Sequence, residues 1–165
     1  GLAGGDPRAG ERTYQTLVQV AGRAGRADRP GRALLQTHDP DHDAIAALVA
    51  GDRDRFLDVE SQAREMLGLP PYGRLASVVV SAESEARVIE AAAELARTAP
   101  RADGVEIWGP AEPRYGVIRG RWRRRLLVRA DKTVDISAYL ASWKARVKIP
   151  ASVRVVMDVD PYSFV

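Results

Sequence analysis

Gly68-Leu69-Pro70-Pro71-Tyr72-Gly73, followed almost at once by Leu75-Ala76-Ser77-Val78-Val79-Val80, is the stretch on which the fold turns. Two prolines cannot continue a helix and glycines punctuate both sides, so a boundary falls here, dividing residues 1–70 from residues 71–165. The β-branched run beyond it predicts a strand. Residues 83–99 then carry Val88, Ala91, Ala92 and Leu95 at helical spacing. Residues 105–108 and 122–128 predict two strands flanking a long Gly- and Pro-containing connection, 109–120. A helix with Ile136, Tyr139, Leu140 and Trp143 follows, then a strand with Val153, Val155, Met157 and Val159 on one face. The order β-α-β-β-α-β predicts a compact α+β sandwich. Trp108 and Trp143 fall in apolar patterns and read as core.

Upstream, Tyr14, Leu17, Val18 and Ala21 form one apolar helical stripe, on a helix expected to end near Gly25. Ala33-Leu34-Leu35 predicts a short strand. Asp39 to Asp43 supplies N-cap chemistry for a helix carrying Ile45, Leu48 and Val49, and Phe56, Val59, Ala63, Met66 and Leu67 mark another. Neither helix is stable alone, so both are expected to pack on a core lying partly outside the chain.

With 165 residues, 45% of them hydrophobic, the chain supports one well-cored domain or two small ones and is too short for a two-lobed motor. No apolar run approaches the roughly 18 to 20 residues of a membrane span, and no secretion signal opens the chain. The expectation is a soluble, cytoplasmic protein without a membrane partner. The absence of cysteine excludes disulfides and thiolate zinc sites. His38-Asp39-Pro40-Asp41-His42-Asp43 concentrates imidazoles and carboxylates that suit a metal, but the same residue types cap helices and complement their dipoles, and capping is the preferred reading.

The net charge of +3 is unevenly spread. Residues 1–70 hold nine arginines against eleven acids; residues 71–165 hold sixteen cations against eleven acids. Between Arg114 and Lys132 eight cations face one acid, Asp131. On a strand, Arg121, Arg123, Arg125 and Arg129 point to one side, and Trp122, Leu126 and Val128 to the other. Such a stripe, with Arg119 beside it and Tyr115 or Trp122 able to stack on an unpaired base, suits DNA phosphates without sequence preference. A solvated charged face is the alternative.

The sharpest chemistry lies in Gln19-Val20-Ala21-Gly22-Arg23-Ala24-Gly25-Arg26. Gln19, Arg23 and Arg26 share one helical face, opposite the apolar stripe at about 100° per residue. Paired guanidiniums match the charge of a phosphoryl group in transfer. Arg23 and Arg26 are therefore the catalytic candidates, and Gln19, Gly22, Arg23 and Arg26 the ATP-binding ones. A basic Ala- and Gly-rich loop is the competing reading.

The segment resembles the sixth motif of superfamily-two helicases, Q-x-x-G-R-x-G-R. Around it, Asp6-Pro7-Arg8-Ala9-Gly10-Glu11-Arg12-Thr13-Tyr14-Gln15, Arg29-Pro30-Gly31-Arg32, Leu69-Pro70-Pro71-Tyr72-Gly73-Arg74-Leu75, Gly109-Pro110, Gly120-Arg121 and Asp158-Val159-Asp160-Pro161 look like the PriA family of replication-restart helicases, primosomal protein N′. Pro7 and Arg125 depart from it: the family has an apolar residue and often Gln there. The resemblance implies α/β and α+β architecture, with residues 1–70 the end of a RecA-like second helicase lobe and residues 71–165 a DNA- and partner-binding domain similar to a small ribosomal protein. It implies the C-terminal fragment of an ATP-dependent 3′-to-5′ DNA helicase that recognises stalled or branched forks and assembles the primosome. Neither G-x-x-x-x-G-K-[ST] nor D-E-x-H occurs, so ATP and magnesium are expected in the complete protein, zinc in a missing upstream part, and no cofactor here. Implied partners are branched or single-stranded DNA, other primosome proteins, and the acidic tail of single-stranded-DNA-binding protein, with Arg121 and Arg125 as its receivers. A stand-alone nucleic-acid- or ribosome-associated module is the alternative; another superfamily-two motor fits the C-terminal matches less well.

Overall fold

A computed structural model describes residues 7–24 and 32–162. The chain divides into two compact units, Gly1–Ala63 and Arg64–Val165.

In the first unit, α1 (Ala9–Ala21), α2 (Asp43–Ala50) and α3 (Arg53–Met66, which runs past the division) are the regular elements among the described residues. Tyr14 of α1 stacks on Phe56 of α3, ring centroids 3.9 Å apart and nearly parallel, and Phe56 packs with Ala44 and Ala47 of α2. His42 starts α2, its Nδ1 accepting from the amide of Ala44 at 3.2 Å, so this histidine caps a helix. Two expectations are corrected. Residues 33–35 form no strand, and Leu34 is fully exposed; among the described residues of this unit no strand lies alongside to pair with so short a run. Helix α1 stops at Ala21, short of Gly25, which lies outside the described residues. Its last turn tightens into i→i+3 bonds, Arg23 N to Val20 O at 3.1 Å and Ala24 N to Ala21 O at 3.0 Å. The apolar stripe is only partly covered, with Leu17 half-buried and Val18 and Ala21 exposed.

In the second unit, Gly68 (φ +58°) ends α3: its amide reaches Glu65 O, and Leu69 N reaches Arg64 O at 2.8 Å. The chain then turns through the two prolines into β1 (Gly73–Ala82), followed by α4 (Glu85–Thr98), β2 (Val105–Ala111), β3 (Val117–Ile118), β4 (Arg121–Asp131), α5 (Ile136–Arg146) and β5 (Val153–Val159). The sheet order is β2-β4-β1-β5, with β3 added to β4, and every pairing is antiparallel. This is the expected β-α-β-β-α-β order, in the ferredoxin-like arrangement, with the two-residue β3 inside the 109–120 connection.

Alternation assigns the faces. Ala76, Val78, Val80 and Ala82 of β1 and Leu126, Val128 and Ala130 of β4 meet Val88, Ala92 and Leu95 of α4 and Ile136, Tyr139, Leu140 and Trp143 of α5. On the other face Leu69, Leu75 and Leu127 pack together with Trp108, so the Pro-Pro turn is anchored within the second unit. A register shift between Trp108 and Ala111 is accommodated by Gly109 at φ +101°, where a Cβ would sit 2.8 Å from the carbonyl oxygen of Arg125. Gly109→Ala is expected to lower stability by about 2 kcal/mol, measured as a urea midpoint shift at unchanged slope.

Tyr139 donates its hydroxyl to the Pro100 carbonyl at 2.8 Å, and burial raises its pKa. A raised folded-state pKa means that the unfolded chain loses this proton first. The contribution is present below the ordinary phenol value near 10 and disappears as pH climbs through the folded value. Tyr139→Phe should cost about 1 kcal/mol at neutral pH and make stability fall less steeply above pH ~10; an identical alkaline profile in thermal melts of both proteins would contradict this account.

Candidate nucleic-acid interface

Strand β4 lies between β2 and β1, so its side chains are flanked on both sides. Arg121, Arg123, Arg125 and Arg129 share the face away from the helices, whereas Trp122, Arg124, Leu126 and Val128 face them. The shared face is not a row of free cations. Arg121 Nη2 donates to the carbonyls of Ser81 at 3.1 Å and Ser152 at 3.4 Å, and Nη1 lies 3.5 Å from Glu83. Arg129 pairs with Asp131 at 2.9 Å and Glu106 at 3.5 Å. On the helix side Arg124 reaches Glu85, in the first turn of α4, at 3.1 Å. Arg125 is only 6% exposed, and both it and Arg123 are partnered. A guanidinium on a central strand loses water and must find acceptors, which is why the strand spends its arginines on the fold.

The other candidates divide in the same way. Trp122 packs against the helix-side core and offers no free ring face on the side of Arg121 and Arg123. Tyr115 is 49% exposed, with the Arg114 guanidinium carbon 5.7 Å from its ring centroid. Arg119 (φ +50°) and Gly120 (φ +73°) are the central residues of the left-handed two-residue turn joining β3 to β4, and both are exposed. The Gly116 carbonyl accepts from Arg123 N at 2.7 Å, which ties the Tyr115 segment to β4. Gln19, Gly22 and Arg23 stand exposed at the end of α1, and Arg26 lies outside the described residues. Among the described residues no group of three or more His, Cys, Asp or Glu side chains could hold a metal ion, and no helix is long and apolar enough to cross a membrane.

Two features escaped the sequence reading. Arg74 grips Asp160, its Nη2 and Nε 2.7 and 3.1 Å from Oδ2, while Asp160 N donates to Leu75 O at 2.7 Å. The GRL and DVDP segments, read separately in the sequence, are one clamp at the start of β1. Arg87, Lys148 and Arg154 also gather at the sheet end that holds the β3–β4 turn. The signal for the latter two was available: residues 136–157 contain four cations and no acid.

The class defined by this geometry is a small ferredoxin-like α+β domain, cationic at one end of its sheet and preceded by a helical segment. The chain belongs to the family of the primosomal protein N C-terminal domain, whose sequence profile matches residues 65–162. It is 41% identical over 159 residues to the Replication restart protein PriA of Rickettsia conorii, covering 96% of this chain and 24% of that protein. Identity is 38% over 162 residues with the protein of the same name from Synechocystis (96% and 19%), and 32% over 162 residues with that of Bacillus subtilis (95% and 20%). The chain thus spans about a fifth to a quarter of the length of these relatives.

Because Arg125 is buried and Arg119 projects from a turn, Arg125→Ala should destabilise the chain by ~2 kcal/mol or more, whereas Arg119→Ala should leave the thermal midpoint within about one degree. Equal midpoints for the two variants would show that the β4 arginines are not structural.

Proposed function

We propose that the chain is the C-terminal part of an ATP-dependent 3′-to-5′ DNA helicase that recognises stalled or branched replication forks and restarts replication by assembling a primosome in the cytoplasm. The observation that carries this reading is similarity along nearly the whole chain, motif segment included, to proteins named for replication restart.

In this reading residues 1–70 are the end of a RecA-like second helicase lobe. Gln19 and Gly22 shape a surface for ATP, and Arg23 and Arg26 act as arginine fingers on the γ-phosphoryl group, with magnesium and the phosphate-binding loop supplied by residues outside this chain. A zinc site belongs to the same upstream part. Residues 71–165 serve DNA and protein partners. Tyr115 presents a face for an unpaired base, Arg119 and Arg121 meet phosphates, and Arg123 and Arg125 brace them, with Trp122 holding the strand from the core side. The acidic tail of single-stranded-DNA-binding protein is the partner proposed for Arg121 and Arg125, approached from the Arg121 side because Arg125 is covered.

The complete core of the second unit also suits a stand-alone nucleic-acid- or ribosome-associated module. The two readings part on Arg23. In the full-length protein, Arg23→Ala should lower DNA-stimulated ATP hydrolysis by about 10³-fold or more while fork binding, followed by fluorescence anisotropy, is retained. Hydrolysis at the unaltered rate would remove the motor reading and leave the binding module.

A further inference from the structure

The cations of β4 are mostly committed to carboxylates and carbonyls, yet the end of the sheet from which β4 starts carries others that are not. The register fixes their neighbourhood: Ser81, near the end of β1, pairs with Arg123 on one side and with Arg154 of β5 on the other. Arg121 spans the same three strands, its Nη2 donating to Ser81 O on β1 and to Ser152 O before β5. Arg87, in the first turn of α4, donates to the Ser152 hydroxyl at 3.0 Å, and it lines one groove together with Lys148. Between the β3–β4 turn and the α5–β5 connection this end of the sheet therefore carries Arg119, Arg121, Arg154, Arg87 and Lys148. Of these, Arg121 alone is ion-paired, to Glu83. Arg87, Lys148 and Arg154 are exposed and have no carboxylate partner among the described residues. The nearby acids are largely engaged elsewhere: Glu85 holds Arg124, and Glu94 of the groove wall holds Arg97 at 2.7 Å, leaving Glu90 as the other acid that lines the groove with Arg87 and Lys148.

We propose that Arg87, Lys148 and Arg154 form a track for the sugar–phosphate backbone of a nucleic acid, continuous with the Tyr115 and Arg119 hairpin. This rests on the DNA-binding reading above and deepens it by locating the cations that neutralise phosphates. Arg154 shares the sheet face of Ser81 and Arg123, whereas Arg87 and Lys148 stand on the helix side, so the track passes around the end of the sheet at Ser152, which Arg87 and Arg121 both contact. At the hairpin the exposed Tyr115 precedes Gly116, whose carbonyl accepts from Arg123 N, so a ring able to stack on a base adjoins the same end of the sheet. Several exposed cations without carboxylate partners, spread over one end of the sheet, fit a chain of phosphates better than a single carboxylate.

The test is binding of this chain to fluorescently labelled forked DNA over a salt series, with Arg87→Ala/Lys148→Ala/Arg154→Ala against unaltered protein. The charge control is Arg101→Ala/Lys132→Ala, two exposed cations at the opposite end of the sheet. The triple variant should bind more weakly at low salt, with a log–log salt slope shallower by about 2, at ~0.7 to 0.9 per phosphate contact; the control should keep the full slope. All three positions are exposed, so thermal midpoints should coincide. If unaltered protein binds DNA and the triple variant shows the same slope, the track is wrong while the DNA reading stands. Loss of binding to poly-glutamate alone, with DNA binding intact, would reassign the surface to an acidic protein partner and overturn the proposal. No DNA binding by the unaltered chain at any salt would overturn the DNA reading itself.

Discussion

β1 is hydrogen-bonded on both edges, to β4 and to β5, and its two-residue alternation sends Ala76, Val78, Val80 and Ala82 toward the helices. A slip of one residue would turn those side chains to the opposite face and bring Ser77, Val79 and Ser81 against α4 and α5. Register is therefore strongly specified, and with it everything that register positions. It sets Leu75 against Leu127's cluster, Arg74 against Asp160, and Ser81 between Arg123 and Arg154. The turn before β1 serves the same end, because Gly68, Leu69 and the two prolines stop α3 and set the starting point of the strand.

How much of this was legible in the sequence follows from the range of the interactions. Elements defined by their own periodicity were readable: the apolar positions of α4, α5 and β5, and the β-branched run of β1, all lie where the pattern places them. The short run at 33–35 was misread because three apolar residues carry no period, and a strand that short depends wholly on a neighbour. On β4 the alternation was legible but the partners of its guanidiniums were not. Sequence spacing shows which side a guanidinium points to. It does not show that Ser81 O, Ser152 O, Glu83, Glu85 and Glu106 wait there, since those acceptors come from other segments of the chain. The cations at 87, 148 and 154 were invisible as a group for the same reason.

That division of labour has a thermodynamic basis. Binding to a polyanion draws on the release of counterions condensed on the nucleic acid, one for each phosphate that a protein cation neutralises. An arginine already paired with a carboxylate contributes little to this, because its charge is balanced before the nucleic acid arrives, and turning it outward leaves the carboxylate, or a buried cavity, behind. Central-strand guanidiniums such as Arg124 and Arg125 are thus suited to stability and poorly suited to binding.

Cations that serve binding must keep their hydration and their freedom until the ligand comes, which restricts them to strand ends, turns and the outer face of an edge strand. Arg119 sits in a hairpin turn, Arg87 in the first turn of a helix, Lys148 in the α5–β5 connection, and Arg154 on β5, the edge strand. They converge because antiparallel strands with short connections bring several turns to the same end of the sheet. The β1–α4, β3–β4 and α5–β5 connections all lie at the end where Ala82 faces both Trp122 and Val153. A fold whose middle is committed to register and core packing thus gathers its uncommitted charge at one rim, and the arginine count along a single strand is a poor guide to where a polyanion would lie.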